Sequence, residues 1–89
     1  MLLSEDDKLY LKKNGNKKKD IEWIECALVM STFKFRGRRI SAEKAICLLG
    51  QENFLSGLSR SAFHWSAVRN TEDGEPVMFD SSRLYMGGA

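Results

Sequence analysis

Eighty-nine residues, 43% of them hydrophobic and 29% charged, suit one small globular domain and argue against a disordered chain. A chain of this length buries roughly 60–65% of the surface its unfolded form exposes, enough for a modest core. The net charge of +2 selects no partner, no apolar run approaches a membrane span, and Met1-Leu2-Leu3 meets acidic residues at once, unlike a secretory leader.

Ser4 followed by Glu5, Asp6 and Asp7 is an N-cap with acids in the first turn, where the helix dipole favours them. The helix it opens runs to about Lys13 and stops at Asn14-Gly15. Asp20 is expected to cap a second helix, with Ile21, Ile24, Leu28 and Ser31 on one face and Trp23, Ala27 and Met30 beside it. "TFKFRG" alternates, so that helix is expected to fray into a short strand before Gly37. Ser41 caps "AEKAICLL", and Gly50 stops it. One more helical turn, "QENFLS", carries Phe54 and Leu55 inward. Gly57 then gives a bend, and Ser59 caps a further helix, "RSAFHWSA".

"AVRNTEDGEPVMFD" predicts a hairpin turning at Asp73-Gly74, with Val77 and Phe79 sharing the packed face and Pro76 opening the return strand. Asp80 and Ser81 offer a cap for a last short helix, "SRLYM", and the final residues fray. Cys26 and Cys47 each lie in an apolar helical pattern. They read as reduced, buried thiols of a cytoplasmic protein, with a Cys26–Cys47 bridge as the minor alternative.

Charge is unevenly spread. Residues 12–44 carry ten Lys/Arg against four acids, a net of +6, while the segments before and after are each −2. The excess lies in "KKNGNKKK" (Lys12–Lys19) and "KFRGRR" (Lys34–Arg39), clusters that attract polyanions. A solvated loop is the plainer account of the lysine run.

The predicted fold is mainly α with a small β-hairpin, on the winged helix-turn-helix plan of three core helices plus a wing. Residues 1–19 form an N-terminal helix and basic loop, 20–86 the winged domain, and 87–89 a frayed tail. "ISAEKAICLLG", "GLSRSAFHWSAV" and "DGEPVMFDSSRLY" resemble the small excisionase and MerR-type winged-helix DNA-binding domains over Ile40 to Met86. In that family a recognition helix follows the Leu-Leu-Gly helix after a short turn, whereas here "QENFLSGL" separates Gly50 from Ser59.

The resemblance implies that Arg60, Ser61 and His64 face base edges in the major groove. It also implies a transcriptional regulator or an excisionase-like recombination accessory factor. Phosphate candidates are Lys17, Lys18, Lys19, Arg36, Arg38, Arg39 and Arg69, which would neutralise the backbone of double-stranded DNA and fix register. Glu72, Asp73 and Glu75 at the wing tip oppose that use of the wing. They motivate an alternative: a protein-interaction module of a mobile element or phage, or a homodimer, docking through Phe54, Phe63 and Trp65.

An enzyme is not expected. The single His has no partner at catalytic spacing, and no phosphate-cradling glycine loop or metal-ligand cluster is visible. Neither a cofactor, a metal, a small-molecule substrate nor a membrane enters the reading.

Overall fold

The computed structural model describes residues 3–58 and 64–87, which form five helices and one four-stranded antiparallel sheet. Helix α1 (Glu5–Lys13) starts as its sequence predicts. The Ser4 hydroxyl accepts from the Asp7 amide at 3.2 Å, and the Asp7 carboxylate accepts from the Ser4 amide at 3.2 Å, which closes a capping box. Helix α2 (Lys18–Met30) begins before the expected cap at Asp20. Asp20 sits in the first turn instead, and its Oδ2 accepts from the Lys17 amide at 2.8 Å. A carboxylate at that position reaches back over the helix start, so Lys17 takes the cap position.

Ile21, Ile24, Ala27 and Leu28 bury the inner face of α2. Met30 and the thiol of Cys26 are exposed, as is Cys47 on the next helix, so the expectation of buried cysteines is overturned. Helical geometry explains it. Cys26 lies two residues from buried Ile24, and Cys47 two residues from buried Ala45. Two residues turn a side chain about 200° around the helix.

Strand β1 (Thr32–Phe35) follows, then a strand missing from the sequence reading, β2 (Arg38–Ile40). They pair through a two-residue turn, Arg36-Gly37, with φ of +53° and +77°. Positive φ at both central residues marks the turn whose twist matches that of paired strands. Helix α3 (Ala42–Leu49) is capped by Ser41, whose hydroxyl accepts from the Lys44 amide at 3.1 Å. Gly50, at φ +87° and ψ 148°, ends α3 and opens α4 (Gln51–Gly57) directly. Phe54 and Leu55 turn inward as expected, on a longer helix than the single turn predicted.

The helix expected from Ser59 falls largely on residues outside those described. Its last residues are corrected: His64 lies in a bend and β3 (Ser66–Asn70) begins at Ser66. Pairing of Ser66 and Ala67 with the next strand overrides their helical propensity. Strand β4 (Pro76–Asp80) returns after a loop in which the Gly74 amide donates to the Thr71 carbonyl at 2.9 Å. Val77 and Phe79 are fully buried, as their alternation predicts. Helix α5 (Ser82–Gly87) closes the chain, with the Ser82 amide donating to Asp80 Oδ1 at 2.9 Å.

The strand order is β2-β1-β4-β3, so the two hairpins form one sheet through β1 and β4. The architecture is therefore mixed α/β rather than helical with a single hairpin. Phe33, Val77 and Phe79 from the sheet join Ile24, Leu28, Leu49 and Phe54 from the helices in one core. Leu3 and Leu11 belong to the same cluster. The inner face of the sheet is thus fixed by burial, and the outer face is left for other uses.

Candidate nucleic-acid interface

Four cations fall within the six residues of the β1–β2 hairpin from Lys34 to Arg39: Lys34, Arg36, Arg38 and Arg39. The three arginines are exposed and Lys34 is half-buried. Among the described residues none of the four enters a salt bridge.

Register decides where each points. Lys34 is directly opposite Arg39 on one side and Met78 on the other, and Met78 is opposite Ala67. Residues directly opposite share a face, so Arg39, Lys34, Met78 and Ala67 form a row across all four strands, on the side away from Phe33. Trp65, two residues before Ala67, joins that side. The Lys34 ammonium lies 4.4 Å from the centroid of its ring, a cation–π contact that holds the lysine stem across Met78.

Like charges directly opposite one another destabilise a strand pair. Lys34 and Arg39 sit so, with no carboxylate between them, an arrangement an incoming anion would relieve. Asp80 shares this face, but one of its oxygens is occupied by the Ser82 amide.

Arg36 has different surroundings. It lines a cleft of about 450 Å³ together with Asn53, Asn70, Glu72 and Asp73. The acidic tip of the β3–β4 hairpin therefore shares a cleft with a cation of the other hairpin.

No family model, curated protein or solved structure matches the chain.

The remaining sequence candidates separate. Arg60 and Ser61 lie outside the described residues. His64 is exposed, and its carbonyl accepts from the Ser66 hydroxyl at 3.3 Å. Lys17, Lys18 and Lys19 are exposed around the start of α2, with Lys18 4.0 Å from Glu22. Lys18 and Lys19 open α2, and the rest of the helix, Asp20 to Met30, puts about 17 Å along its axis between them and β1, so the lysine cluster is carried on a different element from the arginines.

Arg69 is turned towards the helices. A bulge between Ala67 and Arg69 buries Val68 and sets Arg69 opposite Val77, and the guanidinium donates to the Ser56 hydroxyl on α4 at 3.2 Å.

Lys34, though within the basic cluster, is absent from the phosphate candidates, and Trp65 is expected only on a protein-docking surface. The alternation of "TFKF" was a signal for Lys34, since flanking phenylalanines bury one face and leave the lysine on the other. No such signal places Trp65 on this face, because "RSAFHWSA" predicts a helix rather than a strand. The proposed docking surface of Phe54, Phe63 and Trp65 is also corrected. Phe54 is fully buried against Phe33, and Phe63 lies outside the described residues.

Proposed function

We propose that the chain is a non-catalytic nucleic-acid-binding protein, suited to transcriptional regulation or to an accessory role in recombination. The observation that carries this reading is the juxtaposition of Lys34 and Arg39, without a salt bridge to an acid among the described residues and beside an exposed indole. Consecutive helices α3 and α4 followed by the β3–β4 hairpin are in keeping with a winged helix-turn-helix scaffold. Binding proceeds by counterion release as the cations neutralise phosphates.

Fluorescence anisotropy with labelled DNA of mixed sequence, titrated at several salt concentrations, tests it. Binding is expected to weaken with salt. Lys34→Gln and Arg39→Gln should each lower the slope of log K on log salt by about 0.7 to 0.9. Absence of binding at low salt sinks the reading.

A second reading, as a protein-interaction module, is favoured by a different observation. Cys26, Val29 and Met30 form an apolar patch on the outer side of α2, with Val29 63% exposed. Light scattering after size exclusion reads self-association there, and Val29→Glu should abolish it.

A further inference from the structure

The width and chemistry of the outer sheet face select among nucleic acids. Four strands spaced about 4.8 Å apart span about 14 Å between outer strand axes, before side chains are added. A major groove is about 12 Å wide and admits a helix or a two-stranded ribbon. The whole row from Arg39 to Ala67 therefore cannot enter a groove of duplex DNA.

The face offers instead what an unpaired strand requires. Trp65 is 38% exposed and stands beside the row, so a base freed from its own stack has an indole to stack on. In a duplex that base surface is covered by its neighbours. Lys34 and Arg39, on adjacent strands, lie where a backbone crossing the sheet would pass. Met78 and Ala67 leave an apolar floor between the cations and the edge strand.

We infer that this face binds single-stranded nucleic acid, with Trp65 stacking on a base and Lys34 and Arg39 neutralising the phosphates beside it. The inference rests on the nucleic-acid reading above and narrows it to an unpaired substrate. Lys34 exchanges its contact with the indole for a phosphate, and the freed ring takes the base. Asp80 sets the far limit of the cationic track on β4, since a phosphate there would meet its charge.

The test uses the full chain carrying Trp23→Phe, so that Trp65 is the sole indole, and two probes: a fifteen-nucleotide oligothymidylate and a fifteen-base-pair duplex. The oligothymidylate should quench Trp65 emission. Followed by anisotropy of a labelled probe, Trp65→Ala should weaken its binding about five- to 150-fold, the range that loss of one base–aromatic stack gives. Trp65→Phe, which keeps a ring, should recover most of that loss, and duplex binding should be unchanged by either variant.

Two results overturn the inference. Tighter binding to the duplex, with Trp65→Ala neutral on both probes, removes the single-strand assignment and leaves the nucleic-acid reading standing. Failure of both probes at low salt removes both. Circular dichroism of each variant shows that the fold is retained, and Lys34→Gln gives a second measure: a salt slope lower by about 0.7 on the single strand.

Discussion

A Cβ added to Gly57 would run into the Val68 carbonyl oxygen and lie 2.8 Å from Val68 Cγ1. Replacing a helical glycine with alanine ordinarily stabilises a protein by about 0.4–1 kcal/mol. Here the contact reverses the sign, and Gly57→Ala should lose about 1–3 kcal/mol as α4 is pushed off β3, read by urea denaturation. Gly50 is constrained differently. Nothing lies within 4 Å of a Cβ there, but φ of +87° with ψ of 148° is open essentially to glycine alone. Gly50→Ala should cost about 1–3 kcal/mol, and Gly50→Asn should do no better, because that ψ lies outside the left-handed helical well. The stop at Gly50 was legible in the sequence, following as it does an apolar helix with a serine cap. The role of Gly57 was not. It looked like a bend, and the atom that requires glycine there belongs to a residue of the next strand.

Elements whose ends are fixed by local chemistry were legible in just that measure. Ser4 and Ser41 cap where their hydroxyls reach a nearby amide, and the loop holding Asp73-Gly74 turns a hairpin, although its tight turn runs from Thr71 to Gly74 and centres one residue earlier than predicted. The β1–β2 hairpin was half-seen because its turn is Arg36-Gly37, without the usual Asn or Asp at the first position. Arginine at φ +53° bears the steric cost of the left-handed region, about 1–2 kcal/mol. Arg36→Asn should therefore raise stability by about 0.5–1 kcal/mol, seen as a Tm higher by about 2–8 °C. Because Arg36 shares its cleft with Glu72 and Asp73, this substitution should change nucleic-acid affinity less than Arg39→Gln does, as compared by anisotropy. The first arm of the other hairpin is legible from Ala67 onward in "AVRN", and only its start at Ser66, inside the predicted helix, is set by pairing with β4.

At the scale of the molecule, Phe33, Phe54 and Phe79 tie the two hairpins to the helices. The ring centroid of Phe33 is 5.4 Å from that of Phe54 and 6.3 Å from that of Phe79. Phe54→Ala empties the centre of this group and should cost about 3–5 kcal/mol, a large part of the total stability of a small domain. Thermal unfolding followed by circular dichroism should show a large drop in Tm or no folded state at room temperature. The candidate site belongs to this scale too. Lys34 and Arg39 come from one hairpin and Trp65 from a distant stretch, and the β1–β4 pairing that brings them to one face is long-range. That order leaves β2 and β3 as the borders of the sheet, each with backbone groups able to recruit another chain. One border is only three residues long and carries Arg38 and Arg39, and the other is distorted by the bulge at Val68. Both are recognised defences against polymerisation through sheet borders. The arginines would thus serve as gatekeepers of solubility as well as binding groups, and a protein stripped of them would be prone to form fibrils even while correctly folded.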